Sequence, residues 1–293
     1  MREAIRPDHT REALAALSTT EHEKRPSISR VISMDKPIAL GRTAEIYAWQ
    51  ESQILKLFYD WYPEGNIRYE ARISRAVHAA GLPVPAVGDI IEIDGRFGLI
   101  YERVDGISMF DVLPVKPWKL LSYARSLAEL HRQMHHDAAI DGIPAQGERL
   151  EHKIRQAKGL DPDLQEAALT ALEHMPAGTS LCHGDFHPGN VLLTHIGPTI
   201  IDWVDATIGD PIADVARTSI IMLGASQSEV QSRIERVALD WFHTTYLKRY
   251  FRLNPGGEAQ YRKWLPIVAA ARMSEGIDEI EGWLRAQVKD RLR

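Results

Sequence analysis

The sequence predicts an α+β chain of two unlike halves: a small antiparallel β-sheet, then a larger and mainly helical part. Three observations predict it. Between Ile38 and Glu102, short β-prone runs are separated by turn signals. Beyond Gly106 the apolar period lengthens from two to about 3.6 residues. A polar run, His183-Gly184-Asp185-Phe186-His187-Pro188-Gly189-Asn190, then sits between short β-rich stretches and is followed by Ile201-Asp202-Trp203. The divisions expected are an N-terminal arm or docked helix over residues 1–30, a small lobe over 31–104 and a helical lobe over 105–293.

Ile38 to Leu40 and Glu45 to Trp49 read as short strands around the tight turn Gly41-Arg42-Thr43-Ala44, and Gln53 to Phe58 reads as the next strand. Lys56 lies in it among Ile54, Leu55, Leu57 and Phe58. An ammonium set in such an apolar run requires an anionic partner. Asn66 to Ala80 carries Ile67, Ala71, Ser74, Val77 and His78 at helical spacing, and Gly81 stops it. Glu70 falls on this helix with Arg68 and Arg72 as local neighbours, so helix salt bridging is one reading of it. Pro83-Val84-Pro85 leads into a strand over Val87 to Ile93, Asp94-Gly95 marks a tight turn, and Phe97 to Glu102 returns. These runs make five antiparallel strands, with Tyr101 to Gly106 as the connector to the helical half.

Trp118 to His136 carries Leu120, Leu121, Ala124, Leu127, Ala128, Leu130, His131 and Met134, the broad stripe of a central core helix. His131, His135 and His136 suggest a metal, but no nearby carboxylate or cysteine pattern completes a site, and a capped or solvated helix end accounts for them. Asp161 to His174 is a second helix with Pro162 in its first turn. Leu181-Cys182 enters the polar run, and Val191 to Leu193 with Thr199 to Ile201 are short strands carrying Asn190 and Asp202. Gly209-Asp210-Pro211 then reads as a helix N-cap with proline in the first helical position.

The polar run carries the chemistry. A transferring phosphoryl group spreads negative charge over its oxygens, so a catalyst mainly positions groups and neutralises charge. Magnesium needs only one or two protein oxygens beside phosphate oxygens and water, which suits Asn190 and Asp202. Asp185 is then the acceptor of the substrate hydroxyl proton. A competing reading sets His183, Asp185 and His187 on one face of a strand as zinc ligands. Pro188-Gly189 ends any such strand, and Asn190 and Asp202 would be left unexplained. A plain polar turn leaves the second segment unexplained as well.

The run HGDFHPGN with the following IDW resembles the catalytic and metal-binding segments of the aminoglycoside phosphotransferase and choline kinase-like family, small-molecule relatives of the protein kinases. The corresponding protein-kinase pattern is H-R-D-x-x-x-x-N followed by D-F-G. The Asp-to-Asn spacing is kept, while Gly184 stands at the arginine and Trp203 at the phenylalanine. Without that arginine, control through a phosphorylated activation loop is not expected.

The resemblance implies a bilobal protein-kinase-like fold and an ATP- and Mg2+-dependent transfer of the γ-phosphate to a hydroxyl of a small molecule, such as an aminoglycoside, amino alcohol or sugar. It implies that Gly41 and Thr43 cover the phosphates, Lys56 contacts them and Glu70 orients Lys56. Backbone groups of Glu102 and Val104 face the adenine, Asp185 is the base, and Asn190 and Asp202 hold the metal. It also likens Asp210 to an aspartate that braces the catalytic loop from behind. Singly, the turn at Gly41 reads as an ordinary hairpin and Lys56 as an exposed-face residue; their order along the chain is what supports these roles.

At 293 residues and 44% hydrophobic content, the chain can bury a large core. Lys+Arg 35 against Asp+Glu 40 gives a net charge of −5 with no long basic block, so nucleic acid is not the expected partner. A single cysteine, Cys182, excludes an internal disulfide framework and suits a reducing cytoplasm. No apolar run approaches the roughly 18 residues of a membrane span, and Met1-Arg2-Glu3 does not begin a signal-peptide core, so no membrane partner is expected.

From Lys248 to Arg293 there are ten Lys/Arg and six Asp/Glu, a net of +4. A polycationic aminoglycoside would prefer the opposite balance. Glu275, Asp278 and Glu279, at i, i+3 and i+4, read as one helix face that either holds an ammonium group or is simply solvated. Two rivals to a small-molecule kinase stand beside it. One is a catalytically silent nucleotide-binding regulator, against which the intact Lys56, Asp185, Asn190 and Asp202 argue. The other is an atypical protein kinase, disfavoured by the missing arginine and the long helical C-terminal region.

Overall fold

Alternation along β-strands sets the two faces of the sheet. Strands β1 (Ala39–Leu40), β2 (Ala44–Ala48), β3 (Gln53–Phe58), β4 (Val87–Ile93) and β5 (Arg96–Glu102) form an antiparallel sheet ordered β1-β2-β3-β5-β4. This computed structural model describes residues 36–135, 140–227 and 232–292; the expected N-terminal arm over residues 1–30, and His136, lie outside them. On β3, Leu55 and Leu57 point to one face with Ile91. Lys56 and Phe58 point to the other, where helix α1 (Glu64–Ala79) contributes Ile67 and Ala71. The strand lysine is therefore aimed at the helix. Asp94 and Gly95, both at positive φ, make the tight turn between β4 and β5. Gly81, at φ 80°, takes the left-handed position after α1 that a side chain would resist.

The remaining described residues are mainly helical. Strand β6 (Ile107–Ser108) leads to α2 (Met109–Val115), α3 (Leu120–Met134), α4 (Gln146–Gln156) and α5 (Pro162–Glu173). Four short strands follow, β7 (Ser180–Cys182), β8 (Val191–Leu193), β9 (Pro198–Ile200) and β10 (Thr207–Gly209), then α6 (Pro211–Ala225), α7 (Arg233–Leu253), α8 (Glu258–Arg272) and α9 (Asp278–Leu292). Ala124, Leu127, Ala128 and Met134 of α3 are buried in a single core cluster that also takes in Phe242, Tyr246 and Tyr250 of α7 and runs on through α8 and α9. Helix α6 is buried along almost its whole length. β10 pairs antiparallel with β7, and β8 lies between β6 and β9, so the polar run is clasped by two small sheets. Phe186 and Trp203, from the two motif segments, are both anchored in this core.

One expectation is corrected here. Glu275 belongs to a one-turn segment, Met273–Glu275, which Gly276 at φ 59° separates from α9, so it does not share a helix face with Asp278 and Glu279. Helix α4 and strand β10 were not expected. α4 is strongly polar and buries only Gln146 and Ile154, too weak an apolar stripe to be read as a helix. Among the described residues, no helix is long and apolar enough to cross a membrane.

Candidate active site

Lys56 finds its anion on α1: its Nζ lies 2.6 Å from Glu70 Oε1 and 3.6 Å from Asp202 Oδ1. Burial alone would lower the lysine pKa, but the Asp202 and Glu70 carboxylates outweigh it and raise it, keeping the ammonium charged. The Tyr101 hydroxyl donates to the same Glu70 oxygen at 2.8 Å. Local helix pairing does not explain Glu70, because Arg68 bonds Glu64 and Arg72 donates to the Gly142 carbonyl. In the turn, the Gly41 N–H donates to the Ala44 carbonyl at 2.9 Å and so closes the loop on itself. Thr43 is half-buried beside it.

The connector is set by an exchange at Glu102. Its N–H donates to the Ala86 carbonyl at 2.9 Å, while the Ala86 N–H donates to its carboxylate at 3.0 Å. The Glu102 carbonyl is thereby released from that pairing. Val104 is half-buried two residues further on.

In the polar run, Asn190 Nδ2 donates to the Asp185 carbonyl at 2.9 Å and to Asp185 Oδ2 at 3.2 Å. With its nitrogen committed, the amide oxygen of Asn190 is the atom left for a cation. His183 links the two motif segments. Its Nδ1 accepts the Asp185 N–H at 3.2 Å, so its Nε2–H donates to the Ile201 carbonyl at 3.0 Å, next to Asp202. That leaves no lone pair for zinc, and the zinc reading of His183 fails. Asp202 itself sits at φ 64°, in the left-handed region where a non-glycine residue is strained. Its carboxylate is 38% exposed and remains accessible to a ligand.

Asp185 faces two cationic or potentially cationic groups: His187 Nε2 at 3.5 Å and Arg217 Nη2 at 3.7 Å. Burial would raise its pKa, yet the His187 hydrogen bond and the Arg217 charge carry it well below the usual carboxylate range. Gly184, at φ 78°, explains the missing arginine: a Cβ there would stand 2.3 Å from the Asp205 carbonyl oxygen.

The brace behind the loop is Asp214 rather than Asp210. Asp214 Oδ2 accepts the His183 N–H and its Oδ1 the Gly184 N–H. Asp210 instead caps α6, accepting from the Ile212 N–H at 2.9 Å, and takes bonds from Gln260 and Trp264. Both aspartates were visible in the sequence; only the fold tells which one reaches the loop.

The α3 histidines are likewise not a solvated helix end. His131 and His135 are buried, and each Nε2 lies within 3.2 Å of Asp214 Oδ2. Their Nδ1 atoms accept from the hydroxyls of Tyr246 at 2.6 Å and Tyr250 at 2.8 Å. The trio has ligand-like spacing, but protons already close every bond. Burial and the neighbouring His135 push His131 down to about 3, against the pull of Asp214, so its ring is neutral.

Beside Asp185 lies a group of charges that sequence reasoning missed. Arg217 Nη2 and Glu275 Oε1 are 2.5 Å apart, Arg272 Nη1 is 3.3 Å from Glu275 Oε2, and Lys153 Nζ is 3.0 Å from Asp205 Oδ1. Arg149 reaches the same Asp205 oxygen at 2.5 Å. Arg217 could have been found as Lys56 was, as a charge inside an apolar helix that demands a partner.

The sequence model of the APH phosphotransferase enzyme family matches residues 36–252. Over 173 residues, 51% of the chain, the sequence is 28% identical to acyl-CoA dehydrogenase family member 10 of Mus musculus; that match covers only 16% of the relative. Among solved structures, a thermostable mutant of aminoglycoside phosphotransferase APH(4)-Ia in ternary complex with AMP-PNP and hygromycin B superposes with a TM-score of 0.62 at 18% identity, over 89% of this chain and 93% of that one. The amicoumacin kinase hAmiN, in complex with AMP-PNP, Ca2+ and Ami, gives 0.58 at 15% identity, over 87% and 86%. A choline/ethanolamine kinase family protein from Mesorhizobium loti gives 0.52 at 15% identity, over 96% and 91%. These likenesses carry the fold, an antiparallel five-stranded sheet joined to a helical part in the kinase-like manner. The family match carries the assignment: it runs from ahead of β1 into α7 and takes in Lys56, Glu70, Asp185, Asn190 and Asp202, and the chain belongs to the APH phosphotransferase enzyme family.

Proposed function

We propose that the protein is an ATP- and Mg2+-dependent kinase that moves the γ-phosphate to a hydroxyl of a small molecule. One observation carries this reading: the Lys56 ammonium stands between Glu70 at 2.6 Å and Asp202 at 3.6 Å, with Asp185 and Asn190 bonded to each other in the segment just before Asp202. A strand cation and the Asp202 carboxylate thus meet next to the segment that carries Asp185 and Asn190, which supports a triphosphate and its cation lying there. The boundaries proposed are a nucleotide-binding lobe over 31–104 and an acceptor-binding lobe over 105–293.

The donor set fits magnesium. Asn190 offers an amide oxygen and Asp202 a half-exposed carboxylate, hard ligands of the kind such a cation takes one or two at a time. Bound there, the ion would neutralise phosphate charge. Ca2+ with AMP-PNP in the amicoumacin kinase is consistent with a divalent cation at such a site.

In the proposed step the acceptor oxygen attacks the γ-phosphorus, the new P–O bond forms as the bond to the β-phosphate bridging oxygen breaks, and ADP leaves. The acceptor proton passes to the Asp185 carboxylate. Because its pKa is depressed, Asp185 orients the hydroxyl and takes the proton late, which suits a loose transition state. Lys56 holds phosphate oxygens and Glu70 fixes Lys56. Thr43 and the turn at Gly41 lie over the phosphates, and the released Glu102 carbonyl with the Val104 N–H meets the adenine edge. The one cysteine, reduced and buried, is in keeping with a cytoplasmic setting.

The test is magnesium-dependent ADP release with a panel of aminoglycosides, amino alcohols and sugars, comparing wild type with Asp185→Asn. Acceptor-dependent release by wild type alone is expected. Equal background from both proteins on every acceptor would favour a silent nucleotide-binding regulator, and label transferred from ATP to lysate proteins would favour a protein kinase.

A further inference from the structure

The charges around Asp185 point to the kind of acceptor. Arg42 of the β1–β2 turn, Arg149 and Lys153 of α4, Arg217 of α6 and Arg272 of α8 gather around Asp185, Asp205 and Glu275. That is five cations for three carboxylates, one of which is the proposed base. The two others are already paired. Asp205 takes Arg149 and Lys153, and Glu275 takes Arg217, Arg272 and, at 3.8 Å, Lys153. Each of the two therefore already holds two or more of the protein's own cations.

The cations, by contrast, are in surplus. The Arg272 Nε is buried with no hydrogen-bond partner, the one such guanidinium nitrogen among the described residues. A buried donor left unmade is costly, so a site that keeps one has a use for it. Arg272 also lies in the combined field of Arg217 and Arg42, and burial together with those like charges lowers its pKa to about 10. An incoming anion would relieve that repulsion. The cleft between Arg149, Lys153, Asp205, Gly184 and Arg217 is only about 40 Å³, room for water and too small for an acceptor, and neither Arg42 nor Arg272 lines it.

We propose that the acceptor carries an oxyanion, a carboxylate or a phosphate, in addition to its hydroxyl, and that Arg272, Lys153 and Arg42 recognise that group while Asp185 faces the hydroxyl. The proposal rests on the phosphotransfer reading above. It sets this chain apart from enzymes acting on polycations, since an ammonium-rich substrate would meet a surplus of like charge within a side chain's reach of the reacting centre.

The experiment is calorimetric titration of the protein saturated with magnesium and AMP-PNP, which keeps probes out of the triphosphate site. The probes share a three-carbon frame: glycerate, glycerol 3-phosphate, glycerol and 2-amino-1,3-propanediol, with kanamycin as a polycation. Saturable binding of glycerate or glycerol 3-phosphate, at least tenfold tighter than the neutral and cationic probes, is expected, and the better of the two names the oxyanion. Arg272→Gln and Lys153→Gln should each weaken that anion by about tenfold, the scale of one charge-assisted bond. A separate titration of each nucleotide-free variant with AMP-PNP in the presence of magnesium reports whether it is folded. Kanamycin or 2-amino-1,3-propanediol binding as well as the anions, no anion binding at all, or unchanged anion affinity in both folded variants would each overturn the proposal. Failure of the wild type to bind AMP-PNP would instead sink the phosphotransfer reading, and this proposal with it.

Discussion

Asp214 holds His183: the carboxylate of a buried α6 residue accepts the backbone N–H of the loop residue at 2.7 Å, across 31 positions of chain. Its other oxygen takes the Gly184 N–H at 2.9 Å, and His131 and His135 supply two further donors. Four donors on one carboxylate make the loop's position a property of the core. Asp214→Asn replaces an acceptor oxygen by an N–H that opposes those donors. It should destabilise the protein by about 3–5 kcal/mol, the range for breaking a buried charged network. Urea denaturation measures this, and an unmoved midpoint would remove Asp214 as the anchor.

The Lys56 and Glu70 pair should govern nucleotide affinity. Glu70→Gln halves the charge balance at Lys56 while keeping the side-chain shape, and the KM for ATP should rise about tenfold, the effect of one charged hydrogen bond. Tyr101→Phe removes only the second donor to Glu70 and should have a smaller effect. Steady-state kinetics that reversed this order would displace Glu70 from its orienting role.

Asp185 and Asp202 should fail in different ways. Asp185→Asn should lower kcat by about 10²-fold or more while leaving magnesium–ATP binding intact. Asp202→Ala should abolish the metal dependence of nucleotide binding. Calorimetry with and without magnesium separates the two, and unchanged magnesium–ATP affinity in Asp202→Ala would take Asp202 out of the metal site.

Buried histidines set the acid stability. The ring pKa falls to about 3 at His131 and about 4 at His243, and is lowered at His183, in each case through burial first. The unfolded chain binds protons at these sites below about pH 6.5, and the folded protein does not until its lower pKa is reached. Their stabilising contribution is therefore complete above about pH 6.5 and is lost as pH falls from there toward 3, by at most about 1.4 kcal/mol per pH unit for each group. The urea midpoint should drop between pH 7 and pH 5, and a midpoint constant over that interval would contradict neutral buried rings.

Gly184→Ala tests the loop geometry. The residue sits at φ 78°, and a Cβ would come within 2.3 Å of the Asp205 carbonyl oxygen. Melting should fall by several degrees, and an unaltered melting temperature would show that the loop relaxes freely.

Much of this was legible from residues alone because it rests on local rules. The strands at Gln53 to Phe58 and Val87 to Ile93 begin and end where alternation and turn residues put them. Lys56 declared itself as a charge in an apolar strand, and its partner on the following helix is Glu70. What stayed hidden depends on long-range contact. His131 and Asp214 are 83 positions apart, Arg217 and Glu275 58, and nothing near either member signals the other. Helix α4, with Arg149 and Lys153, was missed because its polar sequence shows too little apolar periodicity.

Cys182, the only cysteine, is sealed beneath the loop, and burial raises its thiol pKa well above the ordinary value. Alkylating reagents attack the thiolate at accessible sites, so the native sulfur should stay silent toward maleimide. A cysteine placed on the turn at Gly41 and another on α9 could then each carry a fluorophore without first stripping the background, giving a direct ruler for the mouth of the cleft as nucleotide enters.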